Sequence, residues 1–559
     1  MTDTNDTPGA DIPDAGSTPD AGSTQHIPNQ DTQALPTSGG YSYPDQAPSS
    51  PVGPPPPVPA AAATAGVPLS DDPARGKPKR TGLLIGGLAA AVVLGGGGVF
   101  AASLLSGGGA QPSDVLPGDS YGYFQLDIDP SAGQKIAAVR FLSKLPDVKD
   151  NFSGEDMRKR VWDSIAKDDD CLGKLSYDSD IAPWLGDRVG MSIRPGGTSD
   201  KPNLAVALQV KDDTKAQSTL TTLFACGSKQ KSDLRMKDGY AIITPQGNGD
   251  ATLAAIDKGT LSDNATFSAD MSALGEQGIL SAWFDGGPGL KDITNLTASG
   301  LAGTGFDSQS LPNSKGRVAM ALRFDASYVE LAGVARGVEG IKPSDTNGDE
   351  LAALPADSVG AVQISGADKF IDAIWPQVVK LSDEQAKNNG EDPIKAIEQE
   401  FDVTLPDDLK VLFGSSLTIA GPDQVLGDDV PTFGAKVVTP DAKRAEELLT
   451  KIEEAIGEGP VFNKKVDGDK LAVATTQDYA DALVAGGKLG DNDGFKAALG
   501  DISKTNVAIF VDLDKLEKQY LNDVPADQHD FVEALKAFGL NSSTTADGEQ
   551  AFSLRLVGN

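Results

Sequence analysis

The chain has 559 residues, more than one ordinary hydrophobic core organises, so it must hold two or more domains, or one domain with extended regions. Aspartate and glutamate total 80 against 48 lysines and arginines, and the resulting net charge of -32 excludes an electrostatically driven nucleic-acid partner. Two histidines leave almost no basis for imidazole catalysis or a multi-histidine metal centre.

Residues 1–74 contain nine aspartates, no lysine or arginine, and many Pro, Ser, Thr, Gly and Ala residues without hydrophobic period. Such a composition cannot bury enough apolar surface to offset chain entropy, and a disordered tail is expected. The hexapeptide Pro-Asp-Ala-Gly-Ser-Thr occurs at Pro13–Thr18 and again at Pro19–Thr24, and Pro54–Pro57 is a polyproline run. Both suit an extended tether.

A basic flank follows, Arg75, Lys77, Lys79 and Arg80, and then 33 residues without a charge, Thr81–Ser113. As a helix, Thr81–Leu105 would be about 37 Å long, enough to cross a hydrocarbon core of about 30 Å, so residues 75–105 are expected to be a basic flank and a transmembrane helix. A cleaved signal peptide is the competing reading. The long leader and the length of the apolar run disfavour it. With the basic residues before the span, the positive-inside rule puts the N-terminus in the cytoplasm and everything after about Ser106 outside. Gly82 and Gly86 have GxxxG spacing, which in so glycine-rich a run is the spacing chance provides.

Residues 106–559 retain a net charge of -27 once the nine tail aspartates and four basic-flank residues are set aside. Self-similarity is their most informative property. Leu116–Leu126 matches Leu354–Ile364 at six of eleven positions, including Leu116-Pro117, Asp119-Ser120, Gly122 and Gln125. Leu261–Phe267 then matches Leu489–Phe495, Asp180–Gly186 matches Asp408–Gly414, Asp238-Gly239 matches Asp467-Gly468, Phe284-Asp285 matches Val511-Asp512, and Ala319–Arg323 matches Ala551–Arg555. The order is kept throughout. A tandem duplication is therefore expected: linker 106–115, unit one 116–345, linker 346–353 and unit two 354–559.

Each unit reads as α+β, an antiparallel sheet packed with helices. Phe124, Leu126 and Ile128 alternate with Tyr123, Gln125 and Asp127, the period of a strand with one face buried. Pro130 opens a predicted helix with Ile136, Val139 and Leu142 on one stripe. Asp441 is a good N-cap for a helix presenting Ala445, Leu448, Leu449 and Ile452, and its first-unit counterpart presents Ala216, Leu220, Leu223 and Phe224. Strands are predicted at 188–193, 203–210, 240–244, 279–285 and 317–324.

This combination resembles the actinobacterial membrane-anchored proteins labelled domain of unknown function 3352. The likeness is carried by Leu116-Pro117-Gly118-Asp119, Leu126–Pro130, Gln134-Lys135, Tyr177-Asp178, Asp180–Arg188, Lys211-Asp212 and Leu261–Asn264, and it extends over nearly all of the external region. It implies a disordered cytoplasmic tail, one membrane helix and an external domain. No activity and no catalytic residue comes with it.

Cys171 and Cys226 are the only cysteines, both in the first unit. An oxidising exterior favours a disulfide between them, worth about 3–4 kcal/mol in the chain-entropy model. Ser164-Ile165-Ala166-Lys167 and Ser262-Asp263-Asn264 fit two signatures of penicillin-binding enzymes. Ser228–Lys231 fits the first equally well, no Lys-Thr-Gly follows, and Gly490 stands opposite Ser262, so the segment reads as a turn. Asp345–Glu350 starts like a calcium loop but lacks its glycine and terminal glutamate. His529 among acidic residues reads as solvated helix surface. Trp184 and Trp283, with Phe413 and Phe510 near the matching places, read as core.

No cofactor and no catalytic residue are expected. The chain is anticipated to be a non-enzymatic, single-pass envelope protein whose paired units hold an apolar ligand or bind another envelope protein in a cleft between them. An envelope hydrolase is the alternative.

Overall fold

The computed structural model describes residues 110–128, 130–145, 157–167, 172–198, 201–227, 231–286, 316–337, 347–390, 392–425, 430–456, 462–521, 524–544 and 549–559. The first half supplies strands β1 (Gly122–Asp127), β2 (Leu185–Thr198), β3 (Lys201–Val210), β4 (Ser232–Lys237), β5 (Tyr240–Pro245), β6 (Leu280–Asp285), β7 (Arg317–Phe324) and β8 (Tyr328–Arg336). The second supplies β9 (Ser358–Ser365), β10 (Ser416–Pro422), β11 (Gly434–Val438), β12 (Asn463–Asp467), β13 (Lys470–Ala474), β14 (Thr505–Asp512), β15 (Leu535–Thr544) and β16 (Gln550–Gly558). The predicted strands are all present.

These strands form one antiparallel sheet in the order β12-β13-β11-β10-β9-β14-β15-β16-β8-β7-β6-β1-β2-β3-β5-β4. Counted outwards from the β8–β16 junction, each half runs through its eighth, seventh, sixth, first, second, third, fifth and fourth strand. The halves meet edge to edge, with Tyr328 opposite Val557 and Ala335 opposite Gln550. They do not face each other across the cleft expected between two units. At the outer edges the sequence dictates tight hairpins. Asp238 and Gly239 turn β4 into β5 with φ of 48° and 78°, and Gly468 turns β12 into β13 with φ of 61°, the left-handed conformations a two-residue hairpin requires.

Strand order corrects one sequence match. Ala319–Arg323 lies on β7 and Ala551–Arg555 on β16, whereas the seventh strand of the second half is β15. The expected linkers also need revision. Pro112–Val115 is a helical turn with Ser113 and Val115 buried, and Asp349–Ala352 is a helical turn with Leu351 buried. A glutamine at the same place in each half holds them. Gln125 Nε2 donates to Gln111 Oε1, while Gln363 Nε2 donates to Asn347 O and its Oε1 accepts from Leu351 N.

Helices cover the two sheet faces unequally. They are α1 (Ala132–Leu142), α2 (Met157–Ala166), α3 (Asp213–Gly227), α4 (Gly249–Ile256) and α5 (Ala265–Leu274) in the first half. The second half has α6 (Ala367–Asn389), α7 (Pro393–Phe401), α8 (Asp407–Phe413), α9 (Ala442–Ile456), α10 (Gln477–Ala485), α11 (Asp493–Leu499) and α12 (Leu513–Tyr520). On one face Phe267, Met271 and Leu274 of α5 pack on Tyr123, Trp283 and Ala321, and Phe495 and Leu499 of α11 pack on Ala508 and Phe510. Tyr479 and Leu483 of α10 extend this layer over Ala472 and Ala474. On the opposite face α3 sets Ala216 and Leu220 on Leu208 and Ala241, and α9 sets Ala445 and Leu449 on Leu471 and Val466.

Two expectations fail at helices. Ile136 and Val139 of α1 are exposed, because the helix docks through Gln134, Lys135, Ala138 and Phe141 instead. Phe413, at the last position of α8, is also exposed, whereas Trp184, Trp283 and Phe510 are buried as predicted.

Candidate ligand-binding face

In β1 the alternation is present but the burial is reversed. Tyr123, Gln125 and Asp127 are buried, while Phe124 is only half-buried and Leu126, at 9% exposure, is the one member of its set that is buried as expected. Polar residues also share the covered face with the apolar core across the middle of the sheet. The helix-covered face carries Ser281, Gln363, Thr418, Lys436, Asn541 and Ser553, all buried. Burying polar groups is costly unless they are paired, and Gln363, Lys436, Asn541 and Ser553 have partners, whereas Ser281 Oγ and Thr418 Oγ1 make no hydrogen bond among the described residues. Asn541 Nδ2 donates to Leu499 O and Asp501 O, and Thr505 Oγ1 donates to Asn541 Oδ1. Charges are paired too: Arg188 with Asp127 at 2.8 Å, Lys436 with Glu350 at 2.8 Å, and Arg317 with Asp270, which also accepts from Trp283 Nε1 at 2.9 Å.

At the junction of the halves one carboxylate serves two arginines. Glu330 of β8 lies opposite Arg323 of β7 and Arg555 of β16, accepts from both, and accepts from Ser553 Oγ. Burial pushes the Glu330 carboxyl up, and the Arg555 and Arg323 guanidiniums outweigh that, leaving it below the ordinary carboxylate range. Arg555 also stacks over the Tyr328 ring at 4.0 Å.

The other face reads as two unbroken apolar rows. From Leu331 at the centre, one row passes through Leu322, Leu280, Leu126 and Val189 to Leu208. In the other direction it passes through Leu554, Leu540, Ile509 and Val362 to Ile419. The neighbouring row has Phe552, Gly333 and Met320 at its centre. Ala282, Phe124, Met191 and Val206 continue it towards β3, and Ser542, Val507, Ile364 and Leu417 towards β10. Both rows cross eleven adjacent strands, from β10 to β3, and Ser542 is their single polar side chain. At about 4.8 Å per strand they extend ~48 Å along the sheet.

Most of these side chains are half-buried. Ile364 and Ile419 are 40% and 46% exposed, whereas Leu126, the counterpart of Ile364 in the first half, is 9% exposed. Helices close the strip at its margins: α3 near β3, and Phe141 and Leu142 of α1 over Phe324 and Val329. Gly333 is needed at the centre, because a Cβ there would overlap the Phe552 ring.

Several residues singled out in the sequence have structural roles. Asn264 caps α5, its Oδ1 accepting from Thr266 N and Phe267 N, and Nδ2 donates to Gly118 O. Asn492 caps α11 in the same way, with Oδ1 accepting from Phe495 N. Asp263 accepts from Thr260 N and Oγ1, so Ser262-Asp263-Asn264 is a turn and cap. Glu350 is paired with Lys436 and Lys470, and His529 Nε2 lies 2.9 Å from Val524 O. Among the described residues no group of three or more His, Cys, Asp or Glu side chains is placed to hold a metal ion.

Arg75, Lys77, Lys79, Arg80, Thr81, Leu105 and Cys171 lie outside the described residues, as does the side chain of Cys226. Among the described residues no helix is long and apolar enough to cross a membrane. The apolar strip itself was missed in the sequence. Its signal was available as the period-two apolar alternation of β7, β8, β14 and β16.

Residues 82–274 match the model of the family described as protein of unknown function (DUF3352), the family that the motifs resemble. The match ends with α5 and so is narrower than the reading of the motifs, which extended over nearly all of the external region. No curated protein matches the chain. No solved structure matches it either.

Proposed function

We propose that this chain, whose residues 82–274 belong to the DUF3352 family, is a non-enzymatic, single-pass envelope protein that holds an apolar ligand on its apolar strip. The observation that carries the reading is the pair of rows across eleven strands, apolar but for Ser542 and for the most part only half-buried. Soluble proteins rarely leave so extended an apolar surface accessible without a use for it. A site with no charged or hydrogen-bonding array favours holding over chemistry.

The uncharged run Thr81–Leu105 and the basic residues before it support a membrane span with the described residues outside. A tandem duplication accounts for the repeated strand order, the paired glutamines Gln125 and Gln363, and the paired caps Asn264 and Asn492.

A Nile red titration of the full chain in non-fluorescent detergent tests the reading. Saturable enhancement is expected, and it should fall at least five-fold when Leu331→Asn and Leu554→Asn are combined. Enhancement that never saturates, or that the double variant leaves unchanged, would remove the strip as a binding site. Protease added to intact cells should digest residues 110–559; protection of that region would reverse the proposed topology.

A further inference from the structure

We infer that the occupant of the strip is the acyl portion of a membrane lipid, laid across the strands, an inference that rests on the reading of an apolar ligand above. Shape is the first ground. The two rows run ~48 Å along the sheet but lie only about 7 Å apart along each strand, so the strip suits a long, thin molecule better than a compact one. A third row at the centre, Val511, Phe538, Leu556, Val329 and Phe324, broadens it only locally.

Polarity is the second ground. A compact metabolite or a peptide brings donors and acceptors, which the strip answers with one hydroxyl, that of Ser542. A protein partner brings about one hydrogen bond per 100–200 Å² of interface and would find as little to pair with. An acyl chain has nothing that needs pairing.

The third ground is reach. The described chain begins at Ala110, whose carbonyl accepts from Tyr240 Oη at 2.7 Å, and the apolar part of the uncharged run ends at Leu105. At most about 3.5 Å per residue, the connection holds this part of the fold within ~18 Å of the end of the run. With that run in a bilayer, lipid is the apolar molecule within reach. The anchored strand, β5, adjoins the β3 end of the strip, and the strip's most exposed residues, Ile364 and Ile419, lie at its other end, on β9 and β10.

The test uses the full chain in vesicles of phosphatidylethanolamine and phosphatidylglycerol containing a phospholipid with a photoreactive diazirine midway along one acyl chain. After irradiation, labelled peptides are mapped by mass spectrometry, with Nile red binding measured on the same protein. Label is expected on residues 317–336 and 535–558 as well as on the run 81–105, and Leu331→Asn with Leu554→Asn should reduce the former at least five-fold while leaving the latter unchanged. The map on the unsubstituted chain decides even if the double variant misfolds. Label confined to 81–105 with saturable Nile red binding would overturn the lipid inference and leave the apolar-ligand reading standing. Label confined to 81–105 without saturable Nile red binding would overturn both, and would leave the chain's own apolar run as the candidate to cover the strip.

Discussion

The two faces of the central sheet differ in both composition and burial. The face under α5, α10 and α11 is buried and mixes apolar core residues such as Tyr123, Trp283 and Phe510 with Gln, Ser, Asn, Arg and Glu, whereas the face carrying the leucine rows is almost wholly apolar and mostly half-buried. Hydropathy alone would not leave the more uniformly apolar face the less covered one. Coverage decides burial here: the covered face joins an apolar core around Trp283 and Phe510 to buried charges that pair with one another, although Ser281 and Thr418 carry hydroxyls with no partner among the described residues. The apolar face has no need of such pairing, and its rows remain mostly half-buried.

The largest expected effect is at the junction. Glu330→Ala leaves Arg323 and Arg555 buried without their carboxylate and should cost about 3–5 kcal/mol in denaturant unfolding of the full chain. A cost below ~1 kcal/mol would mean that the covered face tolerates an unpaired charge, and the contrast with the strip would dissolve. The same group gives a pH signature. Because the folded Glu330 carboxyl lies below its ordinary value of 4.5, its contribution is complete above that pH and is lost as pH falls through the folded value. Melting temperature should therefore decline below about pH 4.5, with a smaller decline in Glu330→Gln; parallel curves would refute the assignment.

Packing should distinguish neighbouring residues on β8. Ala332 is buried on the covered face and Leu331 half-buried on the strip. Ala332→Leu should cost about 1–3 kcal/mol by overpacking, more than Leu331→Ala at about 1 kcal/mol, an inversion of the usual cost of deleting a leucine. The reverse ranking by urea midpoint would place Leu331 in a closed core.

Gly333→Ala should cost about 1–2 kcal/mol, because its Cβ meets the Phe552 ring, and Phe552→Leu should recover part of it. Strict additivity in the double-mutant cycle would show that the ring does not lie over the glycine. The smallest effect concerns counterpart positions along the strip. Ile364→Ala should cost under ~1 kcal/mol and Leu126→Ala measurably more, since the former is 40% exposed and the latter 9%. Equal costs would erase the difference between the two ends.

Much of the fold was legible in the sequence. Matched segments such as Leu116–Leu126 and Leu354–Ile364 located equivalent strands, and Asp441 with Ala445 and Leu448 announced α9. Legibility failed where a short match met a different strand, as with Ala319–Arg323, and where a helix used a polar docking surface, as with Gln134 and Lys135 of α1. Gln134 Nε2 donates to Phe324 O and its Oε1 accepts from Phe324 N, a pairing made 190 residues away that no local pattern reports.

By itself the sequence determined the α+β class, the alternation of every central strand and the resemblance of the two halves, because side-chain period and turn chemistry are local properties. Only the tertiary structure decided which of the two alternating sets is buried. That choice depends on helices that reach the sheet from other parts of the chain, and on ion pairs such as Arg323–Glu330–Arg555 that make a polar face stable inside. Nothing within a single strand distinguishes a leucine row destined for a core from one left open.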